Sequence, residues 1–263
     1  MEKGLKLKQV LAVTDLPKST FYYKSRKKDD LDLMDKIKNI AEDKTYFGYR
    51  RIHLKLLKDD IKVNHKKVYN IYCKMNLQKK ITRKRKDHNI PKIQDYEPLP
   101  ALYPNHIWGI DFMFITIAEN KKVKILTVED LFSRKAMLVY PDTSITSADV
   151  SYELEKVFYE YGQPEIIRSD NGAEFTSKLF AAFLNKHRIY HDRIPKGSPY
   201  FNGITERFNK TVKYELYFVE YIQNFKELNE LTNNYALFYN NKRPHLALGN
   251  KSPDEVYYME KSP

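Results

Sequence analysis

The order of strand and helix patterns after residue 105 constrains the fold more than any other feature of this sequence. Three apolar segments separated by short turns predict a three-stranded meander, at residues 107–117, 123–128 and 136–140. Helical and strand patterns then alternate, at residues 147–161, 165–169, 177–188 and 189–191. This order predicts an α/β domain, namely a mixed five-stranded sheet with flanking helices. Further helices are predicted from Gly203, over 224–241 and near 253–257.

The first 100 residues differ from the rest of the chain in charge. They hold 26 Lys and Arg against 13 Asp and Glu, whereas residues 101–263 hold 20 against 21. A Lys-rich composition caused by codon usage would extend along the whole chain, so it does not explain this asymmetry. A strongly basic segment joined to a nearly neutral one favours a nucleic-acid-binding region attached to a second domain.

Short helical patterns fill the basic region. Residues 5–25 predict two short helices about a turn at Asp15–Pro17, which fits a helix-turn-helix fragment. Amphipathic patterns then predict a small all-α domain of the helix-turn-helix type, with helices near residues 31–40, 49–57 and 65–75. Lys66 and Lys67 lie on the outward face of the last of these helices, as expected for a module that enters the major groove.

Basic residues continue beyond these helices. Residues 61–86 contain ten Lys or Arg and no Asp or Glu. Residues 79–86 hold too few apolar side chains to pack, which predicts a mobile arm that becomes ordered on DNA phosphates through Lys79, Lys80, Arg83, Lys84, Arg85 and Lys86. The alternative is a solvated linker that happens to be basic. Four prolines between residues 87 and 105 mark a domain boundary.

The composition argues against several classes of protein. A single cysteine, Cys73, excludes a disulfide framework and a Cys-rich zinc module. No segment has the length and apolarity of a secretion signal or a membrane span, so we expect a cytoplasmic protein without a membrane partner. The sequence lacks a glycine-rich phosphate loop, and we therefore expect no nucleotide cofactor.

Three acidic residues stand at special points of the predicted elements. Asp111 interrupts an apolar strand, Asp170 ends the strand at 165–169, and Glu206 lies one turn into the helix that begins at Gly203. Each has an ordinary explanation when taken alone: a paired strand acid, a turn residue or a helix-dipole partner. If the first and fourth strands are neighbours, the three carboxylates meet near one end of the sheet.

Three gathered carboxylates repel one another unless cations neutralise them. Oxygen ligands favour Mg²⁺ or Mn²⁺, and the lack of a Cys cluster disfavours zinc. Two such ions can activate an attacking oxygen and stabilise the leaving oxygen of a phosphodiester. The sequence therefore predicts a site for two divalent cations.

Five motifs in a fixed order carry a family resemblance. They are Trp108–Asp111, Asp130–Arg134, Ser169–Gly172, Gly203–Lys210 and Tyr239–His245, with 35 residues between Asp170 and Glu206. On these motifs the sequence resembles the retroviral-integrase (DDE) superfamily. Within it, the chain is similar to the second-reading-frame transposases of bacterial insertion sequences.

The resemblance implies a ribonuclease-H-like domain that cleaves and joins DNA by two-metal phosphoryl transfer. It implies that Asp111, Asp170 and Glu206 are the catalytic metal ligands, and that Lys213 matches a basic position contacting the element's end. The implied partner is double-stranded DNA, both the element ends and the target, on which a homo-oligomer assembles. Such a protein is expected at the bacterial nucleoid when it is bound to DNA.

With the resemblance, the chain divides into five expected segments. These are a helix-turn-helix fragment (1–28), a basic helical DNA-binding domain (29–78), a basic arm with a Pro-rich linker (79–105), a ribonuclease-H-like integrase catalytic core (106–220) and a C-terminal helical extension (221–263).

Basic residues on the helix of Glu206 are further candidates for DNA contacts. Glu206, Lys210 and Lys213 are spaced i, i+4, i+7 and share one helix face. Asn209 and Arg207 are included among the predicted DNA contacts of this helix. The alternative is an i, i+4 salt bridge on a solvated helix.

Two other functions remain open from the sequence. One is a ribonuclease-H-like nuclease that hydrolyses DNA and never joins it. The other is a non-catalytic DNA-binding regulator.

Overall fold

The computed structural model of the protein describes residues 17–22, 30–78, 96–217 and 222–259, together with residues 11 and 14. The predicted basic arm at 79–86 lies outside the described residues, as does most of the helix-turn-helix fragment at 1–28. Of that fragment the structure shows one short helix, α1 (Lys18–Phe21).

Three amphipathic helices form the N-terminal domain, as the sequence predicts: α2 (Leu31–Asp43), α3 (Tyr49–Lys58) and α4 (His65–Lys74). Gly48 precedes α3, and the Asn64 side chain caps α4 by accepting a hydrogen bond from the Lys66 backbone N–H at 2.8 Å. The apolar stripes of the three helices meet in one core that includes Ile37, Ile52, Leu56 and Val68. The basic residues are thereby left on the outside of the domain.

Five strands form one mixed sheet: β1 (Ile107–Thr116), β2 (Lys122–Asp130), β3 (Ala136–Asp142), β4 (Ile166–Ser169) and β5 (Tyr190–Arg193). Their order is β3-β2-β1-β4-β5. The first three strands pair antiparallel, and β4 lies parallel to both β1 and β5. The predicted meander is confirmed, and the first and fourth strands are neighbours.

Helices cover both faces of the sheet: α5 (Ser147–Tyr161), α6 (Ala173–Thr176), α7 (Lys178–Lys186), α8 (Gly203–Val212), α9 (Phe225–Asn241) and α10 (Pro253–Met259). The helix predicted at 177–188 is shorter than expected, and a separate single turn, α6, precedes it. After α8 the backbone forms a π-helical turn, Lys213–Tyr217, which the sequence did not indicate. No helix of the described residues is long and apolar enough to cross a membrane.

Side chains of β1 alternate between two cores. Trp108 and Ile110 pack in the core that contains residues of α5 and α7. Met113 and Ile115 pack in the core that contains residues of α8 and α9. Because side chains of a strand alternate in direction, Asp111 lies on the α8 face with Met113. Residues of α9, in the predicted C-terminal extension, therefore share a core with the sheet.

Gly109 allows α8 to lie close to the sheet. A Cβ atom at this position would be 2.3 Å from Oγ1 of Thr205 on α8 and 2.8 Å from Cδ2 of Leu131. Only glycine fits such an approach without displacement of the helix. The glycine of the Trp108–Asp111 motif therefore sets the position of the helix that carries Glu206.

Candidate active site

The three predicted acids come from three separate elements and line one cavity of about 410 Å³. Asp111 is at the middle of β1, Asp170 directly follows β4, and Glu206 is in the first turn of α8. The parallel pairing of β1 with β4 and the packing of α8 over Gly109 bring them together. The loop at residues 194–198 forms another wall of this acid-lined cavity.

The pKa of Asp111 depends on its burial and on the two acids beside it. Burial, together with the charges of Asp170 and Glu206, raises the pKa of Asp111 to about 6. Two hydrogen bonds act in the opposite direction, from the Phe112 backbone N–H and from Nδ2 of Asn209, each at 2.8 Å. A cation in the cavity would remove the repulsion and favour the ionised carboxylate.

The donor chemistry of the acid-lined cavity fits a hard divalent cation, since the three acids that line it offer carboxylate oxygens. Oδ1 of Asp170 accepts a hydrogen bond from the Gly172 backbone N–H at 2.9 Å, which orients that carboxylate. Among the described residues, however, no group of three or more His, Cys, Asp or Glu is already gathered closely enough to hold a metal ion. Asp170 and Glu206 are exposed, whereas Asp111 is half-buried.

Asn209, a predicted DNA contact, is buried against the sheet in the structure, and its contact with DNA stays a prediction. Its side chain is only 9% exposed, and its amide is engaged at both ends. Nδ2 donates to Oδ2 of Asp111 at 2.8 Å, and Oδ1 accepts from Oγ1 of Thr127 at 2.7 Å. Asn209 is therefore a positioning residue for Asp111. The sequence signal was its place three residues after Glu206, which turns it toward the sheet.

The other predicted DNA contacts differ in their surroundings. Lys210 and Arg207 are exposed on α8. Lys213 is half-buried at the start of the π-helical turn, and its Nζ donates to the Phe114 carbonyl at 3.1 Å. Lys66 is exposed, whereas Nζ of Lys67 forms an ion pair with Asp30 at 2.5 Å. These contacts stay predictions, and Lys79, Lys80, Arg83, Lys84, Arg85 and Lys86 lie outside the described residues.

Sequence reasoning missed a buried charge network behind α8. Glu215, in the π-helical turn, accepts two hydrogen bonds from Arg243, at 2.7 and 2.8 Å, and one from Nη1 of Arg51 at 2.5 Å. The Tyr235 hydroxyl donates a further bond at 3.1 Å. Burial acts to raise the pKa of Glu215. The Arg243 guanidinium nevertheless holds this pKa below its ordinary value. The network joins α3 of the N-terminal domain to the end of α8.

His245 belongs to the same region and fixes the C-terminal segment. Its Nε2 lies 2.9 Å from Nη1 of Arg243, and its backbone N–H donates to the Lys251 carbonyl at 3.0 Å. Burial and the neighbouring arginines lower the pKa of His245 to about 3, so the ring is neutral. A structural role follows from these contacts.

Family models match most of the described chain. An integrase core domain model matches residues 102–199, and a second integrase core domain model matches residues 187–253. An HTH-like domain model matches residues 28–85. These ranges correspond to the sheet, to the helices that follow it and to the N-terminal helical domain.

Relatives from bacteria extend this similarity. A transposase for insertion sequence element IS904 of Lactococcus lactis is 30% identical over 85% of this chain and 92% of that protein. An uncharacterized protein of insertion element IS476 from Xanthomonas euvesicatoria is 32% identical over 84% of this chain, and the alignment spans 63% of that protein, less than two thirds. The IS407 protein of Burkholderia multivorans is 27% identical over 91% of this chain and 86% of that protein. The chain belongs to the family of insertion-sequence transposases with an integrase core domain.

Solved structures show the same fold. The HTLV-2 integrase catalytic core domain, in complex with magnesium, aligns with a TM-score of 0.50 and 23% identity over 60% of this chain and 99% of that chain. The simian T-cell lymphotropic virus intasome in complex with a PP2A regulatory subunit aligns with a TM-score of 0.54 and 22% identity over 86% of this chain and 74% of that chain. The predicted ribonuclease-H-like sheet with flanking helices is thereby confirmed.

Proposed function

We propose that this protein is a DDE-type transposase that cleaves the ends of an insertion sequence and joins them to target DNA. The observation that carries the proposal is the meeting of Asp111, Asp170 and Glu206, from three separate elements, in one cavity. In this proposal the three carboxylates hold two Mg²⁺ or Mn²⁺ ions. When bound, the ions stabilise the charge that develops on the attacking and leaving oxygens of a phosphodiester.

The proposed reaction has two displacements at phosphorus. In the first, water forms a bond to the phosphorus at the element's end while the bond to the 3′ oxygen breaks, which leaves a 3′-hydroxyl and a 5′-phosphate. In the second, that 3′-hydroxyl attacks a phosphorus of the target and displaces the target's own 3′ oxygen. Neither displacement requires a covalent protein intermediate.

The protein's own residues prepare the site for these displacements. The Phe112 N–H and the Asn209 amide fix Asp111 in one orientation, which limits the entropy lost on cation binding. The Gly172 N–H orients Asp170 in the same way. Glu206 projects from a helix that Gly109 and Thr205 hold against the sheet. These contacts support a site in which Asp111 and Asp170 are already oriented.

DNA binding is assigned to the basic N-terminal half. The helices α2, α3 and α4 match an HTH-like domain and carry exposed basic side chains. With the basic arm at 79–86 they would grip the element's ends, and the catalytic core would receive the strand to be cut. We place the working protein at the nucleoid in the bacterial cytoplasm, as a homo-oligomer assembled on DNA.

An oligonucleotide assay tests the proposal. Duplexes that carry the element's end, either intact or already cut to a 3′-hydroxyl, are incubated with the protein and Mg²⁺. The wild type is expected to cut the first and to join the second to a target duplex, and Asp170→Asn is expected to do neither. Glu155→Gln removes an exposed carboxylate of α5 and serves as the matched control, with wild-type turnover expected.

The other outcomes identify the alternatives. Cutting without joined products would identify a nuclease that only hydrolyses. DNA binding without any metal-dependent cutting would identify a non-catalytic regulator. Wild-type turnover by Asp170→Asn would remove that carboxylate from the mechanism.

A further inference from the structure

A second cavity, of about 450 Å³, lies along the flank of α8 beside the acid-lined cavity. Four arginines from four segments line it, and we call it the arginine pocket: Arg51, Arg134, Arg207 and Arg243. They belong respectively to α3, the turn between β2 and β3, α8, and the segment after α9. Arg207 directly follows Glu206, so the two cavities occupy neighbouring faces of one helix.

The charges around the arginine pocket do not balance. Among the described residues, the ionised carboxylate paired with these arginines is Glu215, which bonds Arg51 and Arg243. A second acid, Glu129, also lines the pocket but is 2% exposed, and burial raises its pKa to about 8. Glu129 is therefore mostly uncharged near neutral pH. The four guanidinium groups of the pocket are then accompanied by one ionised carboxylate, that of Glu215.

Two buried polar atoms at the arginine pocket have no hydrogen-bond partner in the part of the chain that the structure describes. They are Nη1 of Arg134 and Oε2 of Glu129. Leaving such groups unpaired is costly, so a ligand that hydrogen-bonds to both is favoured at this place. A phosphate oxygen would accept from Arg134, and a protonated Glu129 carboxyl would donate to the same anion.

The turn that carries Arg134 is built rigidly. Arg134 has a φ of 62°, in the left-handed region that non-glycine residues seldom adopt. Oδ1 of Asp130 accepts bonds from both the backbone N–H and the hydroxyl of Ser133 at 2.7 Å, which closes the turn. The strained backbone conformation of Arg134 is therefore fixed by its surroundings rather than by its own preference.

We propose that the arginine pocket binds a non-scissile backbone phosphate of the DNA strand whose reacting phosphate lies in the acid-lined cavity. The inference rests on the proposed function and deepens it. Planar guanidinium groups suit phosphate through two parallel hydrogen bonds. The pocket thus sets how the strand enters the active site.

Salt-dependent DNA binding tests this assignment. The affinity of the full chain for a fluorescein-labelled random-sequence duplex is measured over a range of KCl concentrations without divalent cations. Arg134→Gln and Arg207→Gln are each expected to weaken binding roughly 5–10-fold and to lower the slope of log affinity against log salt by about 0.9, the value for one phosphate. The double variant is expected to lower the slope no further, because both arginines bind the same phosphate.

Arg188→Gln is the matched control. Arg188 is exposed, has a similar φ of 56° and does not line the arginine pocket, so the same change of charge there should leave the slope unaltered. Arg207 is exposed on α8, and its replacement keeps the test valid even if the Arg134 variant is poorly folded.

A second measurement separates a DNA phosphate from a free anion. Duplexes that carry the element's end and one neutral methylphosphonate, moved along the strand, are expected to lose affinity for the wild type at one position, and Arg134→Gln should lose that sensitivity. If both pocket variants keep the wild-type slope while the wild type binds and joins DNA, the arginine pocket assignment alone is overturned. Inorganic phosphate raising the melting temperature of the wild type with unchanged slopes would make it a free-anion site and also overturn the assignment. A wild type that fails to bind DNA overturns the proposed function as well.

Discussion

Burial of Asp111 disfavours the ionised form of its carboxyl group, which is the form that its proposed function requires. Asp111 lies in an apolar strand, and burial and two neighbouring acids raise its pKa to about 6. In the unfolded chain the same carboxyl titrates near pH ~3.9. The folded state therefore binds the proton more tightly than the unfolded state, and stability falls as pH rises through 6. This cost follows from burying a carboxylate beside two other acids.

Asp111→Asn is therefore expected to stabilise the protein in the absence of metal. At pH 7.5 in EDTA the variant should melt at a higher temperature than the wild type, with a gain of at most ~3 kcal/mol. The gain should shrink as the pH is lowered below 6 and vanish near pH ~4, where the wild-type carboxyl is protonated in both states. Thermal unfolding across this pH range measures it.

Glu155→Gln is the control for this prediction, because hydrogen bonding to Lys186 lowers the pKa of Glu155. It should show no stabilisation at neutral pH. A melting temperature of Asp111→Asn below that of the wild type at every pH would contradict the linkage.

Magnesium should reverse the order of the two proteins. A cation that binds only the folded state stabilises it in proportion to the logarithm of its concentration. Adding Mg²⁺ at pH 7.5 is expected to raise the melting temperature of the wild type and to leave that of Asp111→Asn nearly unchanged. Glu155→Gln should respond as the wild type does, and an equal rise in the Asp111 variant would place the cation elsewhere.

At the residue scale the sequence predicted the three acids but not the residues whose hydrogen bonds hold Asp111 in place. Asp111, Asp170 and Glu206 stood out because carboxylates at strand centres and ends conflict with local preference. Asn209 was assigned to DNA because its amide suits either role and only the packing of α8 onto β1 decides between them. Thr127 gave no signal, since a threonine in a strand is ordinary.

Helix α8 is the element on which the geometry of the site depends. It crosses the sheet where Gly109 leaves room for Thr205, and its first turn carries Glu206. Oγ1 of Thr205 is buried without a hydrogen-bond partner among the described residues, so that hydroxyl adds contact but no bond. The distance between α8 and the sheet is therefore set by the volume of the side chains between them and not by a hydrogen bond of Thr205.

Gly109→Ala is expected to push α8 away from the sheet and to displace Glu206. The new Cβ would meet Oγ1 of Thr205 at 2.3 Å, and overpacking of this kind costs ~1–3 kcal/mol. Strand joining should fall strongly, and the Gly109→Ala/Thr205→Ala double variant should recover part of it, because the contact with Oγ1 of Thr205 is removed while the 2.8 Å contact with Cδ2 of Leu131 stays. Urea unfolding and the joining assay measure both effects.

Gly203→Ala is the control on the same helix, because a Cβ there meets nothing within 4 Å. It should leave stability and joining unchanged. Failure of the double variant to recover any activity would show that the contact with Thr205 on α8 is not the cause of the loss.

Element boundaries were predicted well where periodicity was long and poorly where contacts decide them. The strands and the helix at Ser147–Tyr161 match their patterns within a few residues. The four-residue helix α6 is too short to show a period. The π-helical turn Lys213–Tyr217 was missed because it depends on Arg51 and Arg243, which hold Glu215 from distant parts of the chain.

On the scale of the whole molecule, segments that are far apart in the sequence contact one another near α8. Asn240, in the closing motif, pairs with the backbone of Ala136 through both ends of its amide, at 2.9 Å each. Phe238 of α9 packs against the core of the N-terminal helices, and Lys44 lies 5.1 Å from the centre of its ring. The sequence could not show this, because no local pattern reports which face of one domain meets another. The contact joins the helices of the N-terminal domain to α9.

Glu215 carries the charge part of this connection, and its variants should differ in a defined way. Glu215→Gln leaves the buried Arg243 without its carboxylate and is expected to cost ~3–5 kcal/mol. Arg51→Gln leaves the Glu215–Arg243 pair intact and should cost only about 1–2 kcal/mol. Urea unfolding measures both, and Arg50→Gln, an exposed neighbour on α3, should change stability little. Equal losses for the Arg51 and Glu215 variants would show that Arg243 does not hold the carboxylate independently, and that the two domains are joined through Arg51 itself.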